Sequence, residues 1–238
     1  MPSAMAELSA AFRSAFVLIV SLDPELLEIV GLSLRVSLSA LLLASLGGIP
    51  LGALLATTRF PGRRLALAVL NGLMGLPAVV AGLVVYLLLS RSGPLGSLGW
   101  LFTPRAIIAG QTLLTLPLVA ALSRQVLEDH HAEYRETLRS LGARGGRAVA
   151  TLVFEARHSL LTTLLAGFGR AITEIGSAII VGGNIAHATR VMSTAIALET
   201  SRGDLALALG LGLVLIGLTV LVNGAAQLLQ EVVRRAES

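Results

Sequence analysis

Apolar residues along this 238-residue chain run in long blocks rather than at amphipathic intervals, and short polar stretches separate the blocks. A helix needs about 20 mostly apolar residues to cross a hydrocarbon core of about 30 Å. Residues 29–56, 65–90, 104–127, 159–183 and 205–222 meet or approach that length, so the pattern predicts an all-α integral membrane protein with about five spanning helices. Residues 8–22 are apolar but short and carry Arg13. No basic stretch precedes them and no small-residue cleavage site follows, so they read as an interfacial helix rather than a signal peptide. A sixth span there would move only the N-terminus. Asp23-Pro24-Glu25 then marks a helix start, with Pro at the first position and an acid in the first turn. Pro77 and Pro117 fall inside spans and predict local kinks. Small residues such as Gly48, Gly52, Gly167 and Gly169 predict close approach of helix backbones.

The largest polar interruption covers residues 128–157. At its centre Glu136-Thr137-Leu138-Arg139-Ser140-Leu141-Gly142-Ala143 predicts a short polar helix that ends at Gly142, where glycine adopts a left-handed cap without strain. Leu138, Leu141 and Ala143 would give such a helix an apolar ridge, and Arg135, Arg139 and Arg144 a polar rim. An element of this kind between two spans offers a handle to a soluble partner.

Composition supports the membrane reading: the chain is 55% hydrophobic and only 13% charged, with mean hydropathy +0.84. There is no Cys, which excludes disulfides and thiolate metal sites. All eighteen basic residues are Arg. A phosphate-binding Walker loop requires Lys, so this chain cannot energise itself with one. The net charge of +4 comes with only 4% aromatic residues, too few to stack bases, and nucleic acid is not an expected partner. His130 and His131 are adjacent and diverge on a helix, His158 and His187 fall at opposite membrane faces, and no HExxH or GxSxG occurs. Neither metal, cofactor nor catalytic residue is expected.

Orientation follows the Arg distribution. Arg59, Arg63 and Arg64, then Arg124 through Arg157, then Arg234 and Arg235 all fall on one side in a five-span chain. That side is predicted to be cytoplasmic, with the C-terminus inside and the N-terminus outside. Arg35, near the outer end of the first span, is expected to snorkel to the interface. Arg170 and Glu174 lie within the fourth span, four residues apart, and are expected on one helix face. Arg170 falls about 16 Å into that span, near the midplane, where an unpaired charge costs about 3 kcal/mol. Two roles stay open: an intramembrane pair that fixes the bundle, or groups beside a translocation path.

Glu136, Gly142 six residues on, and the basic stretch returning to the membrane resemble the EAA loop of binding-protein-dependent ABC importer permeases. That family's pattern continues with an Ile-x-Leu-Pro element; here Leu152-Val153-Phe154-Glu155 keeps the apolar positions and lacks the Pro. The resemblance extends to residues 23–29, 73–77, 86–96, 167–176 (Gly-Phe-Gly-Arg-Ala-Ile-Thr-Glu-Ile-Gly), 181–185 and 193–200, which look like tungstate-type oxyanion permeases. It implies a type I ABC importer transmembrane domain over residues 29–227, with 128–158 as a cytoplasmic coupling loop, 1–28 as an extracytoplasmic or interfacial segment and 228–238 as a cytoplasmic tail. It also implies the partners. These are two copies of an ATP-binding cassette subunit docked at residues 135–139 and 141–143, an extracytoplasmic substrate-binding protein, a second permease copy and membrane lipid. The implied cargo is tungstate, with molybdate or sulfate as alternatives. A secondary transporter is the alternative of another class, and predicts inverted repeats and helices broken at the midplane.

Overall fold

The computed structural model describes residues 4–140 and 145–237, and among them every regular element is helical. In chain order they are α1 (Ala4–Val20), α2 (Pro24–Thr57), α3 (Arg63–Met74), α4 (Ala78–Leu89), α5 (Pro104–Ser140), α6 (Gly146–Glu155), α7 (Arg157–Ile172), α8 (Gly176–Gly182), α9 (Met192–Arg202) and α10 (Leu205–Glu237). A single 3-10 turn, Gly96–Leu98, lies before α5. By length and apolarity α2, α5 and α10 can each cross a membrane alone. The pairs α3–α4 and α7–α8 can each act as one broken span, giving up to five.

Local chemistry explains the boundaries. Asp23 accepts hydrogen bonds from the backbone N–H of Glu25 and Leu26 at 3.0 and 3.1 Å, so α2 begins at Pro24 as its sequence indicates. The second predicted span is not kinked but broken. Pro77 has no N–H and its ring disfavours a helical residue before it, so Gly75-Leu76-Pro77 separates α3 from α4. The fourth predicted span is also broken, over residues 173–175. Pro117, in contrast, is absorbed within the uninterrupted α5, and Pro50 within α2. Exposed Leu42 and Leu46 on α2, and Val220 and Leu221 on α10, present apolar surface suited to lipid.

The chain forms two compact units. The first comprises Met1–Ser39, Ala78–Gln111 and Ile172–Leu221. Its core gathers Val36, Val85, Leu89, Ala106, Ile107, Ala178, Val181 and Val191. Ser33 anchors this unit by accepting the Met192 N–H at 2.7 Å. The second unit comprises Ala40–Pro77, Thr112–Ala171 and Val222–Ser238. Here Ala53, Leu127, Leu152, Ala156 and Leu160 form one cluster, and Leu55, Leu70, Ala120 and Ala121 another. Helices α2 and α5 touch through Gly52, where an added Cβ would lie 2.7 Å from the Ala120 carbonyl oxygen and 2.9 Å from the Arg124 nitrogen. Both obstacles are backbone, which cannot yield by changing rotamer.

Gly52→Val is therefore expected to abolish most of the folded protein, whereas Gly212→Ala, with nothing within 4 Å of the new methyl, should be neutral. Monodispersity of fluorescent fusions on size-exclusion chromatography in detergent reads both. A monodisperse Gly52→Val protein would refute this helix contact.

Candidate functional site

The segment expected to form a separate docking helix is built differently. Helix α5 does not stop near Leu127 but runs on to Ser140, so Glu136, Thr137 and Ser140 lie on the last turns of one long helix. All three are exposed. The thirteen residues past Leu127 carry the helix about 20 Å further. The reason is local: residues 128–140 contain no Gly or Pro to stop the helix. Backbone at Arg135, Leu138 and Arg139 is helical, and Leu141, Gly142, Ala143 and Arg144 lie outside the described residues. The chain re-enters at Gly145, whose φ of 58° and ψ of −133° suit glycine, and α6 begins directly after it.

Helix α6 returns the chain to the bundle. Leu152 is 1% exposed among Ala53, Leu127, Ala156 and Leu160, so the first apolar position of the loop's second half is a packing anchor. The helix ends at Glu155 although the family's Pro is missing. The Arg157 guanidinium donates to the Phe154 carbonyl at 2.9 Å and lies 4.4 Å over its ring, which holds the turn at Ala156.

Beside this arm, still within the second unit, two guanidinium groups converge on one carboxylate. Arg63, the first residue of α3, and Arg124 of α5 each bind a different oxygen of Glu128. Arg63 also donates from Nε to the Leu55 carbonyl at 2.9 Å. One acid thus clasps the end of α2, the start of α3 and the stem of α5. Sequence reasoning counted these arginines only for orientation. Arg124 and Glu128 stand at the helical four-residue spacing, but nothing local connects either to Arg63.

Arg170 sits in the last turn of α7, which ends at Ile172, and Glu174 lies in the break that follows. Glu174 is 7% exposed, its carboxylate accepting the Gly176 N–H at 2.9 Å and, more weakly, the Ser177 N–H at 3.4 Å. Its carbonyl accepts the Ser193 hydroxyl at 2.8 Å. This acid satisfies the start of α8 in the first unit.

The first unit holds a second charged group that the sequence did not reveal. Arg190 reaches Glu25 at 3.3 Å and Glu199 at 3.6 Å, Arg202 reaches Glu199 at 3.1 Å, and His187 meets Glu28 at 2.8 Å. Glu199 and Arg190 are nearly sealed, with 7% and 10% of their side chains exposed. This network ties the loop before α9 to the start of α2.

Comparison with known proteins gives this architecture a family. Residues 48–235 match the binding-protein-dependent transport system inner membrane component family. The tungstate uptake system permease protein TupB of Peptoclostridium acidaminophilum is 39% identical over 95% of this chain and 100% of its own length. A probable anion ABC transporter permease protein of Haloferax volcanii is 39% identical over 83% of this chain and 88% of its own. TupB of Campylobacter jejuni is 35% identical over 89% of each chain. The chain belongs to the binding-protein-dependent family of inner membrane transport components. It is a multi-pass membrane permease, a transport component rather than an enzyme. Broken helices alone would also have suited a secondary transporter; the family match decides between the two classes.

Glu128→Ala should leave two half-buried guanidinium groups without their acceptor and lower stability by about 1 kcal/mol, while Glu128→Gln, which keeps one accepting oxygen, should cost less. Thermal unfolding in detergent separates the two. Equal melting of both variants would show that the clasp does not hold these helices.

Proposed function

We propose that two copies of this chain form the membrane part of an ATP-driven importer of tungstate. The observation that carries this reading is the similarity to a tungstate permease along that relative's whole length. An extracytoplasmic binding protein delivers the oxyanion, and two ATP-binding cassette subunits supply the energy. The missing Lys supports that division of labour, because no phosphate-binding Walker loop can be built in this chain.

Residues 29–227 act as the permease domain, with 128–158 as the cytoplasmic loop, 1–28 outside or at the interface, and 228–238 as a cytoplasmic tail. Arg135, Glu136, Thr137, Leu138, Arg139, Leu141, Gly142 and Ala143 couple ATP closure to membrane opening. A stiff extension of α5 suits that role, since a displacement at its tip reaches the packed Leu127 without a joint. Arg170 and Glu174 stand beside the translocation path or pair within the membrane to fix the helices.

Orientation is tested with single cysteines, which the Cys-free chain makes clean. Exposed Ser97 and Arg147, each replaced by Cys, should label from opposite sides of the membrane, with 147 cytoplasmic. Labelling from the same side would overturn the topology.

Coupling and cargo are read together in vesicles carrying the full complex. Tungstate-loaded binding protein should stimulate ATP hydrolysis, and molybdate- or sulfate-loaded protein should do so far less. Gly142→Val, which opposes a left-handed cap, and Leu138→Asp, which places a charge in an apolar contact, should insert normally yet abolish most of that stimulation. Normal stimulation of both variants would sink the docking role, and equal response to the three anions would sink the tungstate assignment.

A further inference from the structure

A groove of about 1470 Å³ lies wholly within the second unit, walled by the last turns of α2, by α5 and by α6. Its two ends differ in chemistry. Ile49, Ala53 and Leu54 of α2 face Val149 and Val153 of α6 along an apolar trough. From Ile49 to Thr57 that wall extends about 12 Å. At the other end stand Arg59, Arg63, Glu128 and His131.

The charges at this end do not balance. Glu128 is the one carboxylate shared by Arg63 and Arg124, and among the described residues Arg59 makes no ion pair. Arg59 and Arg63 line the groove, and the one acid there is also claimed by Arg124 from outside it, so the three guanidinium groups exceed the acid by two positive charges. Arg59 is exposed and lies two residues beyond the end of α2, a helix long and apolar enough to cross a membrane. That places it at the level where lipid headgroups meet water. Leu54, 53% exposed, opens the trough onto the outer surface of the same helix.

We infer that this groove binds one anionic phospholipid, its phosphate at Arg59 and Arg63 and one acyl chain along Ile49, Leu54 and Val153. A small inorganic anion would satisfy the arginines but leave the trough empty. A zwitterionic lipid would fill the trough but leave the charge excess standing. An anionic phospholipid meets both demands, and for any chain in a bilayer it is already alongside the opening. Basic pockets between spanning helices are suited to such headgroups, with each Arg near the phosphate contributing attraction. The inference rests on the chain's being a membrane protein, and neither the cargo nor the orientation enters it.

The test uses the full chain purified in mild detergent and native mass spectrometry with phosphatidylglycerol, phosphatidylcholine or inorganic phosphate added. One phosphatidylglycerol should remain bound to the wild-type chain under conditions that strip phosphatidylcholine, and millimolar phosphate should not displace it. Arg59→Gln, a change at an exposed site, should weaken retention by about fivefold. Ala150→Trp, an exposed position that lines the groove, should fill the trough and remove the lipid. Equal retention of the two lipids would overturn the inference, and so would displacement by phosphate. Wild-type retention in both variants would do the same. Should Ala150→Trp change the number of chains in the complex while leaving lipid bound, the groove is an interface between copies and the lipid assignment fails. Because wild-type lipid preference is decisive by itself, a variant that fails to fold leaves the result readable.

Discussion

A helix interrupted within hydrocarbon exposes donors and acceptors that no water can satisfy, and each such group costs several kcal/mol. This constraint governs where the chain breaks and what stands at each break. After α3 the N–H groups of Gly75 and Leu76 turn back onto the carbonyls of Gly72 and Leu73 at 3.1 Å, and Pro77, with no N–H, adds no further donor to satisfy. At the α7–α8 break a carboxylate takes over: Glu174 accepts from the first N–H groups of α8. In the loop before α9, hydroxyl groups do the work. Thr189 accepts the Ile185 N–H at 2.9 Å and Thr194 accepts the Val191 N–H at 3.2 Å. The acids and hydroxyls that look out of place in an apolar sequence stand where the backbone needs partners.

Charge follows the same logic. Ions taken out of water are tolerated when paired, and the two networks, partly buried, each share one acid between two arginines: Glu128 with Arg63 and Arg124, Glu199 with Arg190 and Arg202. Arginine suits this arrangement better than lysine, because its planar fork can serve a carboxylate and a carbonyl at once. Arg63 does so, binding Glu128 and the Leu55 carbonyl together.

Much of the fold is legible in the sequence because apolar length is a one-dimensional property. The start of α2 at Pro24, the order of the spans and a helical N-terminal segment all follow from local patterns. What escapes is set by distance along the chain or by context. Arg63 and Glu128 are 65 residues apart, and no local rule joins them. Pro77 and Pro117 read alike as kinks, yet one follows the end of a helix and the other is absorbed. After α5, the return helix formed without its expected Pro because Arg157 and Phe154 supply the turn. The polar stretch from Glu136 read as a separate helix because charge marks exposure and says nothing of continuity.

That continuity has a mechanical meaning. Beyond Tyr134, which still packs on the cluster around Leu127, α5 runs on for about 9 Å to Ser140, and Glu128 fastens it to its neighbours nearer the root. Deflection at the tip scales with that length, so a tilt of about 5° at Tyr134 sweeps Ser140 through just under about 1 Å. The position of the clamp therefore sets the gearing. Loosening it would lengthen the free arm and soften it, trading force at the root for travel at the tip.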